Sequence, residues 1–120
     1  MKLNQTDLIV TDVEEATHMI ELLLDIKADF SDENFAEFTV GEHSLMLSRD
    51  ALVPMDTIKS GTILHFEVED VDDVAERMKV RRQKILNGPV NTDWGTYSLL
   101  VEGPDKVVFD FYKVNDDLIR

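Results

Sequence analysis

The segment Val10-Thr11-Asp12-Val13-Glu14-Glu15 returns as Val68-Glu69-Asp70-Val71-Asp72-Asp73, 58 residues further along a chain of 120. An internal repeat of this length constrains the fold more than any single motif, because each copy must be one supersecondary unit. Each copy follows an apolar, strand-like stretch. Leu8 to Val10 lead into the first, and Ile63, Leu64, Phe66 and Val68 lead into the second. Asp12 and Asp70 stand where a strand must turn into a helix, and an Asp side chain there accepts from the unpaired amides of the first turn. Glu15 and Asp73 follow three residues later, in the pattern of a capping box, and the acidic first turns suit the helix dipole.

Beyond each cap the apolar residues fall at three- and four-residue spacing: Val13, Ala16, Met19, Ile20 and Leu23 in the first copy, Val71, Val74, Ala75 and Met78 in the second. That spacing predicts two amphipathic helices. Strand-like pieces follow, at residues 27–30, 35–40 and 44–47 in the first half and 84–86, 96–101 and 106–112 in the second. Turn residues separate them: Ser31-Asp32-Glu33-Asn34 and Val40-Gly41-Glu42, then Gly88-Pro89 and Gly103-Pro104-Asp105. A connector around Pro54 and Ser60-Gly61 divides the copies. The pattern is strand, helix, strand, strand, strand, twice over. Half a chain is too small to bury its own sheet face, so the two modules, about 1–50 and about 60–113, are expected to pack as one domain over 1–120.

The charge balance narrows the partners. Twelve basic against 25 acidic residues leave a net charge of −13. A field of that sign repels phosphate backbones and anionic bilayers and favours cationic small molecules, so neither nucleic acid nor membrane is an expected partner. The basic cluster from Arg77 to Lys84 is read as a solvated helix end. The chain has no cysteine, no apolar run long enough to span a bilayer and no signal-peptide h-region at Met1 to Gln5, so the cytoplasm is the expected location.

The doubled βαβββ pattern, with Trp94-Gly95, the Gly103-Pro104-Asp105 turn and the closing Phe109-Asp110-Phe111-Tyr112, resembles the glyoxalase/bleomycin-resistance/extradiol-dioxygenase superfamily, also called vicinal oxygen chelate proteins. The usual closing motif of that family runs Trp-Gly, an Asp-Pro-x-Gly turn, and an apolar strand carrying Glu before aromatic residues. This chain departs from it with Gly103 for the first Asp and Lys106 for the turn Gly. The resemblance covers the chain from Gln5 to about Tyr112. It implies an α+β fold, two βαβββ modules forming an open cup-like half-barrel of mixed sheet, and a homodimer in which the partner chain completes or walls the cup.

Metal-dependent members coordinate one divalent ion from four strands. The resemblance places the first ligand seven residues before the helix-capping Asp, on Gln5 in one copy and Ile63 in the other. The Glu positions fall on or beside Met46 and on Asp110. Divalent ions of this kind take oxygen or imidazole donors. Ile63 has no donor, and the thioether of Met46 suits soft ions. No metal or other cofactor is therefore expected. His65 complicates this, since strand alternation turns it to the same face as Ile63. A shift of register would leave Gln5, His65 and Asp110 as an open metal site, and His65 with Asp110 would also make an acid–base pair if the two share the cup. His18 and His43 read as surface residues, and Trp94 as either a wall of the cleft or edge packing.

Three functions follow from the resemblance. The first is a small-molecule binding protein of the bleomycin-resistance type, sequestering a cationic or aromatic ligand through Gln5, Met46, Ile63, His65, Trp94 and Asp110 without the catalytic metal. The second is a metal-dependent lyase or dioxygenase of the glyoxalase type. The third is a non-catalytic interaction module. One fold hosts many functions, so the fold does not choose among them.

Overall fold

The computed structural model describes residues 2–49 and 62–115. The chain divides into two compact units, Met1–Ser60 and Gly61–Arg120. Unit one runs β1 (Gln5–Ile9), α1 (Val13–Leu24), β2 (Phe30–Ser31), β3 (Phe35–Val40) and β4 (His43–Ser48). Its sheet has the order β1-β4-β3-β2, with β1 parallel to β4 and the other neighbours antiparallel. Unit two runs β5 (Ile63–Glu67), α2 (Val71–Val80), β6 (Ile85–Asn91), β7 (Thr96–Glu102) and β8 (Val108–Val114). Its order is β5-β8-β7-β6, with the same alternation of one parallel and two antiparallel pairs. The predicted class is the observed one: α+β, two βαβββ modules of mixed sheet, neither closed into a barrel. Among the described residues no helix is long and apolar enough to cross a membrane. The connector around Pro54 and Ser60 lies outside the described residues.

Both helices start as the repeat requires. Asp12 and Asp70 are extended, at φ −134° and −137°, and each accepts from the amide three residues on, Glu15 or Asp73, at 3.0 Å. The predicted apolar stripes are buried, apart from half-buried Met19, whose neighbour Thr17 is covered instead and ties its hydroxyl to the Val13 carbonyl. Each stripe packs on one face of its own sheet. In unit one that face carries Ala36, Phe38, Leu45 and Leu47, and in unit two Leu99, Val101, Phe109 and Phe111. Phe66 joins the second set, its ring 5.2 Å from Phe109 and 5.5 Å from Phe111. Because side chains alternate along a strand, the residues between these, Asp110 among them, belong to the opposite face, open with respect to the helix.

Three local expectations change. The strand read at 27–30 is only Phe30–Ser31 by pairing, although the Asp29 amide already reaches the Glu37 carbonyl at 2.8 Å. Gly88-Pro89 is not a turn but part of β6, which continues to Asn91 with register shifts on either side of Asn87. β6 is an edge strand, where a proline costs no ladder bond. Gly88 has φ +94°, and a Cβ there would collide with the Ser98 carbonyl oxygen. Finally, Lys106 is not in the last strand. It closes a short 3-10 turn, Pro104–Lys106, with φ +65° after Asp105 at φ +49°.

That turn accounts for Gly103, and nothing in it accounts for a lysine at 106. A Cβ at Gly103 would stand 2.7 Å from the Phe109 ring and 2.9 Å from the Val107 carbonyl oxygen. With Phe109 fully buried, there is no room for Asp. Lys106 occupies the left-handed conformation that glycine adopts without steric cost. Two opposite results are expected in urea titration: Gly103→Asp lowers stability by about 2 kcal/mol through overpacking, whereas Lys106→Gly raises it by about 0.5 kcal/mol by relieving the left-handed residue.

Candidate functional site

The parallel pair β5–β8 sets Ile63 beside Val108, His65 beside Asp110, and Glu67 beside Tyr112. The antiparallel pair β7–β8 sets Leu100 on the other side of Asp110 and Ser98 beside Tyr112. All of these lie on the open face of unit two. His65 and Asp110 are in contact: Nδ1 of the imidazole donates to Oδ2 of the carboxylate at 2.7 Å. The two are unlike in exposure, the His65 side chain being 60% exposed and that of Asp110 10%. The carboxylate is thus rooted in the sheet and the ring stands above it. Tyr112 meets the ring edge-on, with centroids 6.4 Å apart and planes at 78°.

The hydrogen-bond inventory fixes the ring. An ionised carboxylate only accepts, so Nδ1 carries the hydrogen, and in the neutral imidazole the lone pair is on Nε2. Among the described residues Nε2 has no partner. Oδ1 of Asp110 is buried and also lacks one. Around the pair the face carries Ile63, 49% exposed, and half-buried Leu100 and Val108 toward one end, and Glu67, Ser98 and Tyr112 toward the other. At the far end of β7, hydroxyls run in a chain from Thr92 through Thr96 to Ser98, each step 2.8 Å.

Unit one carries the matching positions with different chemistry. The β1–β4 register sets Gln5 beside Ser44 and Asp7 beside Met46. Asp7 Oδ1 accepts from the Ser48 hydroxyl at 2.8 Å. Gln5 is exposed at the start of β1, and Met46 is half-buried. His43, expected on the surface in a turn, is instead the half-buried first residue of β4, with Nε2 2.7 Å from the Thr6 hydroxyl. His18 is exposed, as expected. Trp94 lies in the turn between β6 and β7 and is 73% exposed, so within its own unit it packs against little. A cavity of about 340 Å³ lies elsewhere, bounded by α1 residues such as Glu14 and His18 and by Ser31 to Glu33. None of the sequence-derived candidates except His18 borders it.

The strands therefore bring Ile63, His65 and Asp110 together in one unit and place Gln5 and Met46 on one strand pair in the other. The seven-residue count and the strand register single out different residues. Counting seven residues back from the capping Asp singles out Gln5 and Ile63, whereas the residues beside Met46 and Asp110 are Asp7 and His65. Leu100, Val108 and Tyr112 were missed as neighbours of the pair. Their signal is the two-residue alternation of β7 and β8 around Asp110.

The donors do not suit the divalent ion that the family resemblance implies. Ile63 offers nothing, Met46 offers a thioether, and Asp110 and Asp7 each have one carboxylate oxygen engaged within their own sheet, by His65 and Ser48. Among the described residues no three His, Asp or Glu side chains gather where an ion would sit.

A sequence profile of the Glyoxalase/Bleomycin resistance protein/Dioxygenase superfamily matches residues 2–111. Among solved structures, one described as a conserved domain protein is 50% identical, with a TM-score of 0.88 over 96% of this chain and 100% of that one. A glyoxalase/bleomycin resistance protein/dioxygenase from Nocardioides is 18% identical, with a TM-score of 0.78 over 97% of this chain and 85% of its own. A lactoylglutathione lyase from Agrobacterium tumefaciens is 14% identical, with a TM-score of 0.75 over 93% and 92%. The last two likenesses show the fold alone. No curated protein matches the chain.

The asymmetry of the His65–Asp110 pair has a measurable consequence. Removing the exposed partner strands a buried carboxylate, while removing the carboxylate strands nothing buried. His65→Ala is expected to lower stability by about 1–2 kcal/mol, and Asp110→Leu to leave it unchanged or raise it by about 1 kcal/mol. Chemical denaturation of the two single variants and the double variant checks this. Equal losses in both singles would contradict the burial argument.

Proposed function

Because the chain belongs to the glyoxalase/bleomycin resistance protein/dioxygenase superfamily, and the resemblance puts two of the metal-ligand positions on Ile63 and on or beside Met46, we propose that it binds a small molecule without the family's divalent ion. The observation that carries this reading is the His65–Asp110 hydrogen bond on the open face of unit two. It supplies an oriented polar handle among Ile63, Leu100 and Val108, and a few placed polar groups in apolar surroundings are the usual composition of a ligand site. A net charge of −13 favours a cationic, partly aromatic molecule over an anionic one, and Tyr112 offers such a cation an aromatic surface. Sequestration of the bleomycin-resistance type, in a cytoplasmic homodimer, belongs to the same reading and rests on family likeness.

The alternative is a metal-dependent lyase or dioxygenase, in which His65 would be a ligand. Metal analysis of the purified protein and thermal-shift titrations with Ni²⁺, Zn²⁺, Mn²⁺ and Fe²⁺ separate the two. Binding without metal predicts substoichiometric metal and no saturable shift. Stoichiometric metal, or a saturable shift abolished by His65→Ala, would establish the alternative. Within a matched set of cationic, neutral and anionic aromatic compounds, the cationic members are expected to raise the melting temperature saturably. At a hundredfold excess over Kd the gain is about 2.7 kcal/mol, a shift of several degrees.

A further inference from the structure

The imidazole of His65 is tied at one nitrogen and free of described partners at the other, with Ile63, Leu100 and Val108 to one side of the pair. We propose that His65 is a general base positioned by Asp110, and that this face abstracts a proton from a neutral or cationic small molecule bearing a weakly acidic C–H or O–H. The inference goes beyond binding. It shares the face of the binding reading but not its ligand class, since any molecule that reaches Nε2 reports it.

Three observations converge. First, the 2.7 Å bond from Nδ1 to Oδ2 commits the hydrogen to Nδ1 and leaves the lone pair on Nε2. Second, the anchor is rigid. Asp110 lies between Phe109 and Phe111, both fully buried beneath α2, and its side chain is only 10% exposed. A carboxylate rooted in this way and bonded to Nδ1 orients the ring and faces the imidazolium that forms. Third, aliphatic side chains flank the pair on two sides. Ile63 flanks His65 along β5, and Val108 and Leu100 flank Asp110. A molecule lying on those residues would bring its acidic hydrogen to Nε2.

The step balances without a further reagent. Nε2 takes the proton, and the electron pair of the broken C–H or O–H bond stays on the substrate, or moves on to expel a leaving group. The imidazolium then returns the proton to the product or to water. Asp110 gains and loses nothing.

Nitrobenzisoxazole is the probe, because its ring opening needs only a base. The base takes the ring C–H proton, the C–H electron pair becomes the third C–N bond, the N–O bond breaks, and a coloured cyanophenolate leaves. The intact protein is expected to show saturable turnover about 10²-fold above an equal concentration of free imidazole. His65→Gln should abolish it, and added imidazole should restore part of it. Asp110→Asn should lower kcat about tenfold with KM within twofold, the mark of a positioning residue. Long-range ¹H–¹⁵N spectra should find the His65 hydrogen on Nδ1 in the parent and a tautomer mixture in Asp110→Asn.

A parent rate no higher than free imidazole, a rate unchanged in His65→Gln, or a hydrogen on Nε2 in the parent would each overturn the proposal. The parent rate and the tautomer need no variant, so a His65→Gln chain that failed to fold would leave both tests standing. Ligand-induced melting shifts without turnover would sink the base and keep the binding reading. Turnover without any preference for cationic compounds would do the reverse.

Discussion

In each unit the first strand lies parallel to the last, and a helix has to cross between the first strand and the second for that pairing to be reached. The helix starts where an Asp caps it, and its apolar stripe then covers the face made by the alternate residues of the last two strands. Everything else is arranged around that pairing. It fixes which residues of β5 stand beside which of β8, and so makes neighbours of His65 and Asp110, 45 positions apart in sequence. The same covering of Phe109 and Phe111 by α2 forces Asp110 to the other face. A carboxylate between two buried phenylalanines is not a compromise of the core. It is the outward tooth of a strand whose inward teeth are locked.

The two units show what a shared frame leaves free. At matching register positions one unit holds Asp7 beside Met46 and the other His65 beside Asp110. In the first the carboxylate is turned to the Ser48 hydroxyl, and in the second to an imidazole. The duplicated backbone sets where chemistry can be placed, and the side chains have since diverged. A reading that treats the units as interchangeable would assign them one role, which their hydrogen bonds do not support.

The legible and illegible parts divide along local and non-local physics. The caps at Asp12 and Asp70 and both apolar stripes could be read directly, because each depends on residues within one or two turns. The order βαβββ followed from them. Register could not be read, since it is set by partners far along the chain, so the seven-residue spacing that marked Ile63 could not foresee His65 beside Asp110. Both residues share a face, so alternation alone could not choose between them. Gly88-Pro89 misled for a related reason: the pair is a good turn in isolation, but an edge strand tolerates it. His43 looked like turn chemistry, and only the neighbouring strand revealed Thr6 as its partner.

The turn before β8 carries a consequence for how such a chain can change. The Phe109 ring fills the volume that any side chain at position 103 would need, so the two positions do not vary independently. A lineage moving toward the Asp of the usual closing motif meets a barrier if 103 changes first. It passes more easily if 109 shrinks beforehand and the Val107 carbonyl, 2.9 Å from the new Cβ, shifts by a few tenths of an ångström. Position 106 sits outside that lock and is free to accept or lose glycine in any order. The close approach of one ring to one backbone carbon thus becomes a rule of succession, in which the larger residue must give way before the smaller one can grow.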